Sequence, residues 1–298
     1  MNKSIFILAI LMSWASLDYA QSFTEKINKS YSFEKKGSQN AILIYNISGD
    51  VEIEGTTGDQ VVLEVTKTIR AKTDARLTVG KEEIQLGVID LADTLIFYVK
   101  GTGSEFRKND IQNGKSKHYG WGYQWDKQRD GHDLEFDYTM DFKIKIPMDL
   151  QVSASTVNDG DVMVSNTRGQ VRAHNVNGHI RLKDIAGGTT AHTINGNVDI
   201  DYSKNPITDC RYYTLNGNIR VNFPSVVSGR MSFKSFNGDL YTNIDPLTPM
   251  PAIVNKKETE KGIKYKVESE RYQIRSGGPM FDVETFNGDA YIKELVNK

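Results

Sequence analysis

Val176-Asn177-Gly178-His179-Ile180 is the phrase that decides the fold, because it keeps returning. It comes back as Ile194-Asn195-Gly196-Asn197-Val198, Leu215-Asn216-Gly217-Asn218-Ile219, Phe236-Asn237-Gly238-Asp239-Leu240 and Phe286-Asn287-Gly288-Asp289-Ala290. Val157-Asn158-Asp159-Gly160-Asp161-Val162 is the same phrase with one extra residue, and Ile47-Ser48-Gly49-Asp50-Val51 has Ser for Asn. The Asn residues fall at 158, 177, 195, 216 and 237, spacings of 19, 18, 21 and 21, and then at 287. Self-similarity at a near-constant period marks a repeat architecture.

After each turn, apolar residues alternate with polar ones: Val162/Val164, Ile180/Leu182, Val198/Ile200, Ile219/Val221 and Ala290/Ile292. Each turn is thus followed by a strand with one buried and one exposed row. Asn-Gly between strands ordinarily signals a two-residue antiparallel hairpin. In a meander, however, equivalent residues would not stack, whereas here each row keeps one character at one period. A parallel β-solenoid stacks them about 4.8 Å apart. In that reading the amides of Asn158, Asn177, Asn195, Asn216, Asn237 and Asn287 form a corner ladder. Gly178, Gly196, Gly217, Gly238 and Gly288 supply positive φ there. Second corners carry Gly169, Gly187-Gly188, Asn205-Pro206 and Ser228-Gly229.

Outward from the repeats, the ends and composition set bounds. Residues 1–20, with Lys3, an apolar run from Ile5 to Trp14 and Ala20 before Gln21, read as a secretory signal peptide. Nothing later reaches the ~18 apolar residues of a membrane helix. Export to the periplasm or cell surface is therefore expected, without a transmembrane anchor. The 37 basic and 38 acidic residues nearly cancel, so no global field draws the chain to nucleic acid. Cys210 is the single cysteine, which excludes an internal disulfide.

Residues 21–100 read as an N-terminal β-rich region that caps the array. It has an opening strand at Tyr31 to Lys35, strands at Ala41 to Tyr45 and Gln60 to Arg70, and a short helix capped by Asp74. Further strands are expected at Ile84 to Ile89 and Thr94 to Lys100. Residues 101–133 break the pattern and read as an exposed insertion. Inside it, Tyr119, Trp121, Tyr123 and Trp125 fall at every second residue, so in an extended chain their rings share one face. The stripe reads either as a contact surface for a sugar or protein or as a cover over an open side of the array. Residues 134–298 form the repeat domain, with a hairpin-like excursion at about 246–276.

The strand ending Ile146-Pro147, then Ser155-Thr156-Val157-Asn158-Asp159-Gly160-Asp161-Val162 and the serial Asn-Gly turns, resemble the Toastrack family. The phrase Ser232-Phe233-Lys234-Ser235-Phe236-Asn237-Gly238-Asp239 does so too. These are bacterial, exported, adhesin-like β-strand-repeat domains. The resemblance covers residues 140 to 298 well and 40 to 100 loosely. It implies a right-handed β-solenoid in the cell envelope, sometimes linked to envelope-stress systems, and carries over no catalytic residue.

Chemistry-bearing rows remain. His174 and His192 share a position, but no third ligand stands at matching register, so no metal site is expected. Arg181, Asp199 and Arg220 share a row that reads as a charge ladder or as the acid–Arg face of a polysaccharide-active enzyme. The acids after Gly, at Asp161, Asp239 and Asp289, read as turn-solvating groups, not calcium ligands. No cofactor is implied. The expected function is non-enzymatic binding or scaffolding of an envelope protein or glycan. The alternatives are an enzyme on the same fold or a partner in envelope-stress sensing.

Overall fold

The structure is a computed structural model that describes residues 21–35, 37, 39–101, 105–106, 123–124, 134–267 and 270–295. Two large sheets, of ten and eleven strands, hold most of the chain. Along the repeats, successive strands alternate between them. Val162–Ser165, Ile180–Ile185, Val198–Tyr202 and Ile219–Phe223 lie side by side in sheet one, all parallel. Gln151–Ser155, Val171–His174, Thr189–Asn195 and Cys210–Asn216 do the same in sheet two. One strand from each sheet makes a level, and equivalent residues of neighbouring levels are paired, as in Ile180↔Val198 and His174↔His192. The inward rows of both sheets merge into one core, in which Val162, Ile180, Val198, Ile219, Ala173 and Tyr212 are fully buried. Each such aliphatic side chain contributes about 1.5–3 kcal/mol by leaving water.

The levels do not follow chain order at either end. The level made by Ala41–Tyr45 and Val51–Thr56 sits directly against Gln151–Ser155 and Val162–Ser165. Its other side is covered by Thr94–Lys100 and Phe136–Pro147, which come later in the chain. At the far end, Met280–Asn287 and Ala290–Glu294 pair with Cys210–Asn216 and Ile219–Phe223. Gly229–Lys234 and Leu240–Thr242, which precede them in sequence, lie outside them. The last level in the chain is thus inserted beneath the one before it.

Antiparallel strands close most of the stack. In sheet one, Gln21–Tyr31 pairs with Val61–Ala71, which pairs with Phe136–Pro147. The opening strand is therefore Gln21–Tyr31, not Tyr31 to Lys35. Its weak period-2 signal comes from a solvent-facing edge with polar residues on both faces. In sheet two, Gln85–Asp90 closes one end, and Glu270–Ile274 with Leu247–Pro249 closes the other. The excursion near 246–276 also contains a separate hairpin, Val254–Thr259 with Gly262–Val267.

The helix Asp74–Glu83 is capped by Thr73 rather than Asp74: the Thr73 hydroxyl accepts from the Arg76 N–H, while Asp74 occupies the first turn. At its other end, the buried Lys67 ammonium donates to the carbonyls of Lys81 and Ile84 and pairs with Glu25 at 2.8 Å. A cation at the negative end of the helix satisfies carbonyls that have no intrahelical partner.

Candidate functional site

The Asn-Gly corner is tied by three ladders. In the first, the amide of each Asn donates to the Oδ1 of its neighbour. Asn177 bonds Asn158 at 2.9 Å, Asn195 bonds Asn177 at 2.8 Å, Asn216 bonds Asn195 at 2.8 Å, Asn287 bonds Asn216 at 2.8 Å, and Asn237 bonds Asn287 at 2.9 Å. The order is thus 158, 177, 195, 216, 287, 237.

In the second ladder, the side chain after each Gly accepts the backbone N–H of its equivalent one level on. Asp161 accepts from His179, His179 Nδ1 from Asn197, Asn197 from Asn218, Asn218 from Asp289, and Asp289 from Asp239. Asp161 and Asp289 are thus hydrogen-bond acceptors within the stack, whereas Asp239, exposed at its end, keeps the character of a solvated turn group. In the third, Thr156, Thr193, Thr214 and Thr285 donate to the Gly carbonyl of the preceding level at 2.8–3.2 Å. Positive φ holds at Gly217, Gly238 and Gly288, at 155°, 153° and 146°, and the corner needs glycine for a second reason as well. A Cβ on Gly178 or Gly196, neither of which has positive φ, would run into the Gly160 or Gly178 carbonyl.

The second corner, where sheet one returns to sheet two, is concave. A groove of about 1100 Å³ runs across it, with Asn166, Arg168, Asp184, Lys204, Ile207 and Asp209 among its lining residues. Asn166 and Asp184 stand at equivalent positions, both with φ 55°. Asn and Asp are the non-glycine residues that best tolerate this left-handed conformation. Gly187 makes part of the floor; a Cβ there would strike the Gly169 carbonyl. Ile207 is 86% exposed. Two lining side chains carry a buried atom with no hydrogen-bond partner among the described residues, Thr167 Oγ1 and Asn205 Oδ1. Buried polar groups are ordinarily paired, so both atoms stand out, although Thr167 is wholly buried beneath the groove surface. Beneath the groove, the buried Cys210 sulfur donates to the Thr208 carbonyl and accepts from the Thr189 N–H and the Tyr202 hydroxyl.

The outward row of sheet two holds His174, His192 and Tyr213 side by side, with ring centroids 6.1 and 4.3 Å apart. Both imidazoles are nearly covered. Burial lowers the His174 pKa to about 4, with His192 and Arg172 adding to the effect. His192 falls to about 4 through burial and then Arg211, with Glu284 acting the other way. Among the described residues no three His, Cys, Asp or Glu side chains are grouped to hold a metal, and no helix is long and apolar enough to cross a membrane.

In the outward row of sheet one, Arg220 pairs with Asp199 at 3.1 Å, while Arg181 pairs with Asp161 instead. This is a charge ladder that steps diagonally across the row. Of the aromatic stripe, Tyr119, Trp121 and Trp125 lie outside the described residues, as do residues 1–20. Only the Tyr123 backbone is described, paired antiparallel with Phe106.

No family model matches the chain, and no curated protein matches it. Among solved structures, the chain is similar to a candidate cell adhesion protein from Clostridium sporogenes, at 11% identity and TM-score 0.38, over 91% of this chain and 100% of that one. It is similar to a candidate adhesin from Bacteroides fragilis, at 14% identity and TM-score 0.34, over 91% and 97%. A candidate lipid binding protein from Parabacteroides distasonis is similar at 13% identity and TM-score 0.26, over 91% and 97%. Likeness this remote transfers no chemistry to this chain.

Proposed function

We propose that the chain is an exported, adhesin-like binding module of the cell envelope. In this reading it is a right-handed parallel β-solenoid of the Toastrack type that holds a glycan across its second corner. The observation that carries the reading is the groove itself, a concave face along which amide, cationic and acidic side chains alternate. Sugar hydroxyls both donate and accept, which suits a surface where amides, Arg168, Lys204, Asp184 and Asp209 offer both kinds of group. The flat flank of Ile207 gives an apolar face a place to rest. The aromatic stripe Tyr119, Trp121, Tyr123 and Trp125 belongs to the same proposal as a second contact for an envelope protein or glycan. The Asn-Gly ladder is the scaffold that holds the groove in register.

Binding of soluble envelope polysaccharide, followed by calorimetry, tests this. Arg168→Ala and Lys204→Ala, both on exposed positions, should each weaken binding about tenfold with the melting temperature unchanged. Binding that ignores both substitutions sinks the groove reading. Asp184 and Asp209 on the same groove give a second reading, a polysaccharide-cleaving enzyme. Release of new reducing ends on incubation, lost in Asp184→Asn, would favour it.

A further inference from the structure

Three of the four sheet ends are blunted. Sheet one begins on the antiparallel Gln21–Tyr31, which carries Glu25, Lys26 and Lys29. Sheet two ends on the antiparallel Gln85–Asp90 and Leu247–Pro249, the second containing a proline. Charge and proline on an edge strand are usual ways to stop a sheet from growing, as is a very short edge strand. The fourth end has neither charge nor proline within its strand and relies on shortness alone. Sheet one stops at Leu240–Thr242, a three-residue strand that runs parallel to its neighbour.

At that end every ladder of the corner stops with a group unused. Elsewhere the Gly N–H bonds the Asn carbonyl one level on: Gly178 to Asn195, Gly196 to Asn216, Gly217 to Asn287, Gly288 to Asn237. The N–H of the first apolar residue bonds similarly: Ile180 to Asn197, Val198 to Asn218, Ile219 to Asp289, Ala290 to Asp239. Among the described residues the N–H groups of Gly238 and Leu240 have no such partner. Asn237 uses its amide N–H on Asn287, and its Oδ1 accepts from no described residue. The Asp239 carboxylate, whose equivalents each accept a backbone N–H, is likewise open. Two rings end here as well. Phe236, 72% exposed, stacks on Phe286 at 4.8 Å and 4°. Tyr241, 47% exposed, stacks on Tyr291 at 5.1 Å and 13°. Among the described residues each has a ring partner on one side only.

We infer that this end is a docking site for an extended strand of another protein, which adds in parallel to Leu240–Thr242 as the next level. The open groups specify its chemistry. Its backbone must supply two carbonyls, to Gly238 and Leu240, and one N–H to Asp239. An amide side chain donates to Asn237 Oδ1. An apolar or aromatic residue just before that amide lies on Phe236, and another beyond the turn lies on Tyr241. Strand addition of this kind takes affinity from main-chain bonds and selectivity from alternate side chains. The inference does not depend on the groove, which lies at the opposite corner.

The probe is a synthetic peptide with the sequence of residues 284–293, Glu-Thr-Phe-Asn-Gly-Asp-Ala-Tyr-Ile-Lys, titrated into the full chain and followed by backbone amide NMR. Saturable shifts centred on Gly238 to Thr242 are expected, at least tenfold weaker for a peptide with Ala in place of its Asn. Leu240→Pro removes the open N–H at an edge position that tolerates proline and should abolish binding. Phe236→Ser, on an exposed ring, should weaken it about tenfold with the melting temperature kept, so a folding defect in the first variant leaves the site testable. Equal binding of a scrambled peptide, or indifference to both substitutions, overturns the inference. Self-association of the chain without peptide, abolished by Leu240→Pro, overturns the choice of a foreign strand in favour of a second copy.

Discussion

The side-chain amide of Asn287 donates to Oδ1 of Asn216 across 2.8 Å, although 71 residues separate them. Asn237, the next repeat in sequence after 216, is bonded on the far side of Asn287. The final strands of the chain therefore lie beneath the level that precedes them in sequence. The final strands serve as glue for both neighbours: Gly229–Lys234 and Leu240–Thr242 have no parallel partner without them.

The position of each Asn sets what its loss costs. Asn216 makes two ladder bonds, donating to Asn195 and accepting from Asn287. Asn237 makes one. At about 0.5–1.5 kcal/mol per bond, Asn216→Ala should destabilise by roughly 1–3 kcal/mol and Asn237→Ala by about half as much. Urea denaturation reads both. Equal costs would mean that Asn216 is not interior to the ladder.

Glu294 is the lock on the inserted strand. Its carboxylate accepts from the Val227 N–H at 2.6 Å and takes both guanidinium nitrogens of Arg275, at 2.6 and 3.1 Å, while nearly wholly buried. Arg275 also donates to the carbonyls of Val227 and Asp245. Removing one partner of such a pair strands the other, so Glu294→Ala should cost about 3 kcal/mol or more. The double variant Arg275→Met with Glu294→Leu should recover most of it. Denaturation midpoints of the three proteins decide the matter, and a harmless Glu294→Ala would remove the lock.

The paired histidines make the stack acid-sensitive. The folded pKa of His174 and of His192 is about 4, against an ordinary 6.5. Between those values the unfolded chain binds more protons than the folded one. The stability from the neutral, buried imidazoles is whole above about pH 6.5 and is lost as pH falls through about 4. Facing them are Arg172 and Arg211, which favour the neutral forms, and Glu284, which opposes that effect at His192. A fully covered imidazole contributes up to about 3 kcal/mol to this loss. Unfolding free energies at pH 7 and 4.5 should fall less steeply in His174→Phe than in the unsubstituted chain. Parallel pH profiles would count against buried neutral histidines.

Much of the array was legible because its signals are local. Alternation after each Gly put Ile180, Val198 and Ile219 on one row, and the Asn spacing put the amides on another. The order of levels was not legible: the 50-residue step from Asn237 to Asn287 has the same appearance whether the last level follows or is inserted. At the start, Ser48-Gly49 carried the repeat phrase, but the strands that flank its level on one side come from 94–147, where no such phrase exists. The second ladder was hidden because its members are Asp, His and Asn, which share no residue type and only one capability, accepting an N–H. The groove was hidden for a different reason. Its residues sit on turns of unequal length, and Thr167 and Asn205 become notable only when their burial is known.

The stacking order itself is tested most directly by cross-linking. In a Cys210→Ser background, Cys is placed at Arg220 with Tyr291, which are paired in neighbouring parallel strands, or at Arg220 with Tyr241, two strands apart. Neighbouring strands lie about 4.8 Å apart, within reach of a disulfide, whereas the second pair is about twice as far and beyond the ~7 Å limit. Oxidation should close the 220–291 bridge in the native protein and leave 220–241 as free thiols. A 220–241 bridge with 220–291 open would place the last two levels in chain order and contradict the insertion on which this account rests.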